Sequence, residues 1–147
     1  MSYERELQVA LDAAREASDI ILRYYRSGTK SWEKSEDNPV TLADLESDRA
    51  IATRLRAAFP EDGMLSEESV SDPIRVEKRR VWIVDPMDGT KEFTKKIPEF
   101  AVSIALAEDG RPVVGVIHNP AAGVTVWASR DGGAFRDGEG RLVKQWT

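Results

Sequence analysis

Apolar residues in positions 1–27 recur every three or four residues, which is the spacing of one face of an α-helix. The run ends at Ser27 and Gly28, and glycine is typical of the position just after a helix C-terminus. We therefore predict one long amphipathic helix that covers other elements with its apolar face. That face contains Leu7, Leu11, Ala14, Ala17, Ile21 and Tyr24.

A second helical pattern begins at Thr41 and ends at Pro60, because proline cannot continue a helix. Between the two helices, residues 30–38 are polar and irregular, and Asn38-Pro39 is typical of a turn. We predict a mobile loop there. The apolar side of the second helix is predicted to contain Leu42, Leu45, Ala52, Leu55 and Phe59.

From residue 81 onward the apolar period changes from that of a helix to that of a strand. Val81–Val84 is a short apolar run that we expect to be buried, and apolar residues from Phe100 to Leu106 alternate with small ones. Strands joined by short turns pair antiparallel, so the pattern predicts an α+β fold with two helices packed on an antiparallel sheet. Further predicted strands are Gly63–Leu65, Val113–His118, 124–129, 133–136 and 141–144.

Length and composition favour one globular domain over residues 1–147, since 41% of the residues are hydrophobic and 32% are charged. The net charge of −5 argues against a nucleic-acid polymer as partner. The absence of cysteine excludes disulfides, zinc–thiolate sites and cysteine nucleophiles. Charged residues interrupt the apolar positions of residues 1–27, so we expect neither a signal peptide nor a membrane partner and take the cytoplasm as the location.

Two aspartates, Asp85 and Asp88, directly follow the apolar run, and Gly89 and Thr90 come next. Crowded carboxylate oxygens suit a hard cation such as Mg²⁺. A short helix beginning after Gly89 would direct backbone N–H groups, which bind anions, towards the same point. Asp-Pro and Asp-Gly pairs also form ordinary turns after strands. The pattern indicates a cation site beside a phosphate site, with a plain turn as the alternative.

Other polar residues have competing interpretations. The acidic segment Ser66–Ser69 is either a solvated loop or part of the same site. Thr41 and Asp44 have the spacing of a helix capping box, which gives Asp44 a structural explanation. The single histidine, His118, lies late in a predicted strand, and we interpret it as structural rather than catalytic.

Three blocks in a fixed order resemble the inositol monophosphatase family of magnesium-dependent, lithium-sensitive phosphatases. They are Asn-Pro-Val-Thr-Leu-Ala-Asp at 38–44, Ser-Glu-Glu-Ser at 66–69 and Trp-Ile-Val-Asp-Pro-Met-Asp-Gly-Thr at 82–90. The continuation at 90–93, 98–100 and 113–120 is similar to the branch that holds the 3′(2′),5′-bisphosphate nucleotidases. The resemblance implies the N-terminal half of an αβαβα layered phosphatase fold.

The resemblance also implies Mg²⁺ as the cofactor and assigns its ligands. Met87 would bind through its backbone carbonyl, so its replacement of the family's usual Ile or Leu has no consequence. Ser66 replaces the family's usual Gly before the two glutamates. Carboxylates that converge without a metal repel one another and raise one another's pKa values, so we expect a strained apo site. The implied metal ligands are Glu67, Asp85, Met87 and Asp88.

By the same resemblance, Asp44 and Thr90 hold and activate the attacking water, and the N–H groups of Gly89 and Thr90 bind phosphate oxygens. The second half of a typical member carries a Trp-Asp-x-Ala-Ala-Gly motif, and no Trp-Asp pair occurs in these 147 residues. We interpret the chain as the metal-binding N-terminal half. We further predict an exposed apolar face where the other half packs.

The expected function is magnesium-dependent hydrolysis of a phosphate monoester on a small metabolite. A nucleoside 3′,5′-bisphosphate, an inositol phosphate and histidinol phosphate all remain open as substrates. The first alternative is a truncated, non-catalytic cation- or anion-binding remnant with a regulatory or assembly role. The second is an α+β domain whose acidic clusters are merely turns. A homodimer is an open assembly state.

Overall fold

The computed structural model describes residues 2–27, 31–35, 38–68, 78–138 and 141–146. Two helices and a hairpin come first: α1 (Glu4–Ser27), β1 (Ser31–Ser35), β2 (Asn38–Thr41) and α2 (Leu42–Ala58). Seven strands and one short helix follow, which confirms the predicted α+β class. They are β3 (Gly63–Ser66), β4 (Arg80–Asp88), α3 (Thr90–Thr94), β5 (Ala101–Glu108), β6 (Arg111–Asn119), β7 (Val124–Ser129), β8 (Gly133–Gly138) and β9 (Arg141–Trp146).

The seven strands form one sheet in the order in which they occur in the chain, from β3 to β9. The six strands from β4 to β9 pair antiparallel with their neighbours, as the short turns predict. The pair β3 and β4 is parallel, with Ser66 opposite Val84. This pair departs from the predicted antiparallel arrangement because β3 ends at Ser66 and β4 begins only at Arg80, a separation far longer than the short turns that join antiparallel strands.

The prediction of an irregular loop at residues 30–38 is wrong for most of its length. β1 and β2 pair antiparallel, with Ser31 opposite Thr41 and Trp32 opposite Val40. Main-chain hydrogen bonds pair the two strands, and the mostly polar residues of the segment show no hydrophobic alternation that would predict them. Positions 30, 36 and 37 of the predicted loop lie outside the described residues.

One side of the sheet, here called the inner face, is covered by α1 and α2. Trp82, Ile104 and Val116 lie on it with at most 1% of their surface exposed. Small residues of α1, from Ala10 to Ala17, are buried in the same core and allow the helix to approach closely. Alternation along β5 therefore supplies the core, as the sequence predicted.

The opposite side, here called the outer face, is apolar but open among the described residues. Ile83 is 44% exposed and Ile117 is 52% exposed, and the paired strand β5 presents small residues such as Ala105 between them. Val81–Val84 is thus not a continuously buried run, because only alternate residues of β4 face the helices. The outer face matches the predicted exposed apolar face.

The second helix follows its predicted bounds, with Thr41 as the N-cap. Its apolar side contains Ile51 and Leu55, both fully buried, whereas Leu42 is 44% exposed. The prediction that Leu42 belongs to the buried side is wrong, since this residue occupies the first helical position at the rim of the core.

Polar contacts link the N-terminal part of the chain to the sheet. The Tyr3 hydroxyl donates a hydrogen bond to the buried carboxylate of Glu108 at the end of β5. Arg80 at the start of β4 donates to Glu6 of α1 at 2.9 Å and to Asp62 at 3.1 Å. None of the helices in the described part of the chain has the length and apolar composition that a membrane crossing requires.

Candidate active site

The candidate site lies at the C-terminal end of β4, where the strand contains a bulge. Asp85 pairs with Ser103 and Asp88 pairs with Ala101, so two residues of β4, Pro86 and Met87, lie opposite one residue of β5, Val102. In a regular strand, residues three apart point to opposite faces. Ser103 and Ala101 share the outer face, so the extra residue places both aspartates on that face.

Asp85 is a half-buried carboxyl group among other acids. Burial, followed by the nearby charge of Asp88 and then those of Glu67 and Glu68, raises its pKa from 3.8 to about 6. The Met87 N–H donates to Asp85 Oδ1 at 3.2 Å and opposes the rise by stabilising the charged form. The expected repulsion between carboxylates in the metal-free site is confirmed for Asp85.

The acidic turn, defined as Ser66–Glu68, follows β3 and lies next to β4. The Glu67 N–H donates to the Val84 carbonyl at 3.2 Å, which continues the pairing of the two strands by one residue. Glu67 and Asp88 are both exposed, in contrast to Asp85. The segment is therefore neither a detached loop nor a buried cluster, because its backbone is fixed while the Glu67 side chain reaches solvent.

Asp44 is fully buried and joins two elements through its two carboxylate oxygens. Oδ2 accepts from the Thr41 N–H at 2.8 Å and from the Thr41 hydroxyl at 2.6 Å. The Asp44 N–H donates to Thr41 Oγ1 at 3.3 Å, and the two backbone N–H bonds form the predicted capping box. Oδ1 accepts from the Thr90 hydroxyl at 2.7 Å. One carboxylate oxygen therefore serves the capping box and the other accepts from Thr90, and the catalytic role expected for Asp44 stays a prediction.

Thr90 begins the short helix α3, which confirms the predicted helix start after Gly89. Gly89 has a φ of +96°, and a Cβ atom at this position would lie 2.6 Å from the Glu99 carbonyl oxygen. Both facts require glycine here. Phe93 anchors the helix against Tyr25 and Phe100, with ring centroids 5.7 Å and 5.3 Å away. Binding of phosphate by the Gly89 and Thr90 N–H groups stays a prediction.

Sequence reasoning missed Asp48, which is 6% exposed and accepts a hydrogen bond from the hydroxyl of Ser66. Asp48 follows Asp44 by four residues, so both carboxylates lie on one face of α2. That spacing was visible in the sequence. Its meaning was hidden because Ser66, the hydrogen-bond donor, comes from a different element.

The structure thus brings the predicted residues together in two groups. Asp44 and Thr90 are hydrogen bonded, and the Thr90 hydroxyl also lies 3.2 Å from the Met87 carbonyl. Asp85 is coupled to Asp88 and Glu67 through charge. Within the described ranges, no three His, Asp or Glu side chains are arranged closely enough to hold a metal ion. The ligand set therefore stays a prediction.

His118 has a partner on the inner face. Its Nδ1 lies 2.6 Å from the Thr125 hydroxyl, and it borders a cavity of about 40 Å³ beside Ala14 of α1. Burial lowers the pKa of His118, Arg15 lowers it further, and Asp19 opposes both. These contacts fit the structural role predicted for this residue.

Comparison with known proteins gives consistent results along nearly the whole chain. The model of the inositol monophosphatase family matches residues 2–146. A 3′(2′),5′-bisphosphate nucleotidase CysQ from Salmonella typhimurium is 41% identical over 89% of this chain and 54% of its own length. A histidinol-phosphatase from Chlorobaculum parvum is 39% identical over 90% of this chain and 51% of its own length.

Solved structures agree with the curated relatives. The extragenic suppressor protein SuhB from Bartonella henselae superposes with a TM-score of 0.85 at 36% sequence identity. The match covers 90% of this chain and 52% of that chain. The chain spans about half the length of the curated relatives it matches.

Proposed function

The chain belongs to the inositol monophosphatase family, and we propose that it supplies the metal-binding half of a phosphomonoesterase. The proposed reaction is magnesium-dependent hydrolysis of a phosphate ester on a small metabolite by water. The single observation that carries the proposal is the hydrogen bond from Thr90 to the buried Asp44, formed next to the acidic end of β4.

The Asp44–Thr90 pair can move a proton away from an attacking water. The Thr90 hydroxyl donates its proton to Asp44 Oδ1 at 2.7 Å, so the lone pairs of its oxygen are available to accept from water. Thr41 occupies Oδ2, which fixes the orientation of the carboxylate. Thr90 is thus the group that touches the water, and Asp44 is the base behind it.

The chemistry of the donor set at the end of β4, all carboxylate and carbonyl oxygens, suits a hard divalent cation, which would have to draw the carboxylates closer together than they lie here. Asp85 has a raised pKa because burial and neighbouring acids disfavour its charge, and a cation would relieve both effects. We propose that Glu67, Asp85 and Asp88 bind Mg²⁺ through carboxylates and Met87 through its carbonyl, all oxygen ligands. When bound, Mg²⁺ would polarise the phosphoryl group and lower the pKa of a bound water.

The proposed substrate is a 3′(2′),5′-bisphosphate nucleotide or an inositol monophosphate. The name of the Salmonella relative supports the first, and the name of the matching family supports the second. Histidinol phosphate is a third candidate, supported by the name of the Chlorobaculum relative. Inhibition by lithium and a cytoplasmic location belong to the same proposal, and a homodimer stays open.

The test is release of phosphate by the purified chain from 3′-phosphoadenosine 5′-phosphate, inositol 1-phosphate and histidinol phosphate, with and without Mg²⁺. Asp88→Asn is the site variant, and Asp131→Asn, in an exposed turn, is the matched control. We expect magnesium-dependent turnover that Asp88→Asn abolishes and Asp131→Asn retains. Turnover that Asp88→Asn leaves intact would contradict the site assignment.

A second candidate is a non-catalytic cation-binding module that acts in a larger assembly. The observation that favours it is the coverage of about half of each curated relative, since residues of the other half would be needed to complete the site. Titration calorimetry distinguishes the two. Binding of Mg²⁺ that Asp88→Asn weakens, without turnover of any of the three esters, would favour the module.

A further inference from the structure

We propose that Asp48 and Ser66 form a positioning pair that fastens the acidic turn Ser66–Glu68 to α2 and thereby places Glu67 for cation binding. The cation part of this inference rests on the function proposed above. Neither residue would touch the cation or the substrate, so both act through the backbone of the turn.

Asp48 and Ser66 form a buried, hydrogen-bonded contact between α2 and the acidic turn. Asp48 is 6% exposed and Ser66 is 7% exposed. The Ser66 hydroxyl donates to Asp48 Oδ1 and accepts from the Glu68 N–H at 3.2 Å. A buried carboxylate is costly unless it is hydrogen bonded. One hydroxyl therefore satisfies a carboxylate of α2 and an amide of the acidic turn.

The backbone on both sides of Glu67 is then fixed. On one side, the Glu67 N–H donates to the Val84 carbonyl, one residue before Asp85. On the other, the Glu68 N–H donates to Ser66, which is held by Asp48. Glu67 is exposed and lies close enough to Asp85 for its charge to raise the pKa of that residue. The turn thus directs a solvent-facing carboxylate towards the end of β4.

The face of α2 that carries Asp44 and Asp48 contacts both elements that flank the end of β4. The two residues are one helical turn apart. Asp44 accepts from Thr90 at the start of α3, and Asp48 accepts from Ser66 at the end of β3. The two elements that flank the end of β4 are therefore hydrogen bonded to one rigid helix, which sets their separation.

The alternative is that the pair contributes only to the stability of the fold. Amide hydrogen exchange of Glu67 and Glu68 in the metal-free protein and the dissociation constant for Mg²⁺ distinguish these roles. The test variants are Ser66→Ala, which removes the hydroxyl, and Ser66→Thr, which keeps a hydroxyl at the same position. The control is Ser18→Ala, because Ser18 is 3% exposed and donates only within α1, to the Ala14 carbonyl at 2.7 Å.

We expect Ser66→Ala to raise the dissociation constant for Mg²⁺, measured by titration calorimetry, by roughly tenfold, as loss of a residue that orients a ligand does elsewhere. It should also speed exchange of the Glu68 amide. Ser66→Thr should recover both values, and Ser18→Ala should change neither even where it lowers the melting temperature.

Two results would overturn the inference: an Mg²⁺ dissociation constant for Ser66→Ala within about twofold of the wild type, or unchanged exchange of the Glu68 amide. If the wild-type chain binds no Mg²⁺, the proposed cation site fails. The exchange measurement still decides, in that case, whether the pair holds the turn.

Discussion

The two faces of the seven-stranded sheet are built by the same strands but differ in how far their side chains are buried. Ile104 on the inner face is fully buried under the helices, while Ile117 on the neighbouring strand, directed to the outer face, is 52% exposed. The inner face carries the core. The outer face carries Asp85 and Asp88, so two of the carboxylates proposed to bind the cation lie on the face that contributes least to folding.

The largest expected difference between the faces is in stability. Ile104→Ala removes a fully buried side chain and should lower the free energy of unfolding by about 2–5 kcal/mol. Ile117→Ala makes the same chemical change at an exposed position and should cost about 0.5 kcal/mol or less. Urea unfolding of both variants measures this, and equal losses would mean that the outer face is buried in solution.

The bulge is where the alternation between the faces ends, and Gly89 follows it directly. Gly89→Ala should lower stability by about 1–3 kcal/mol, because its Cβ would meet the Glu99 carbonyl and its φ is +96°. Gly123→Ala is the control, since its φ is +69° but no atom lies within 4 Å of the added Cβ. Thermal unfolding should show the smaller loss for Gly123→Ala.

Charge on the outer face should oppose folding of the metal-free chain. The folded pKa of Asp85, about 6, is above its ordinary 3.8, so its ionised form destabilises the folded state. Asp85→Asn should therefore stabilise the chain in EDTA at pH 7, by about 1 kcal/mol after allowance for partial exposure. The gain should disappear between pH 6 and pH 4. Exposed Asp131→Asn should show no such pH dependence.

The pH dependence of stability linked to His118 on the inner face should have the opposite sign. Burial and Arg15 lower the pKa of His118 below 6.5, while Asp19 opposes them, so the unfolded chain binds a proton first as the pH falls. Stability linked to His118 is present above pH 6.5 and is lost below it. His118→Asn should flatten the change in the free energy of unfolding between about pH 7 and pH 5, measured by urea unfolding at each pH. Identical profiles for both proteins would contradict this.

Much of the inner face could be predicted because it depends on local periodicity. Val102, Ile104 and Leu106 alternate as a half-buried strand must, and Thr41 with Asp44 signals the start of α2. The β1–β2 hairpin and the parallel β3–β4 pair were not predicted. Both depend on which segments pair and in which direction, and the residue pattern of a single segment does not specify that.

The sequence could predict which residues belong to the candidate site, but not how their side chains are arranged. Ordered blocks pointed to Asp44, Asp85 and Thr90, yet the sequence left open whether Asp44 caps a helix or serves the site. The structure shows that one oxygen belongs to the capping box and the other accepts from Thr90. The bond between Ser66 and Asp48 joins residues 18 positions apart in different elements, and no local pattern records such a contact.

The order of the sheet has a consequence for the speed of folding. Strands β4 to β9 pair with their neighbours in the chain, so each loop that must close is short, whereas the contact of Tyr3 with Glu108 spans 105 residues. We expect strands β4 to β9 to form their part of the sheet before α1 docks on it. Tyr3→Phe should then speed unfolding and leave refolding nearly unchanged in stopped-flow measurements. If Tyr3→Phe instead slowed refolding as much as it speeds unfolding, α1 would take part in the folding nucleus.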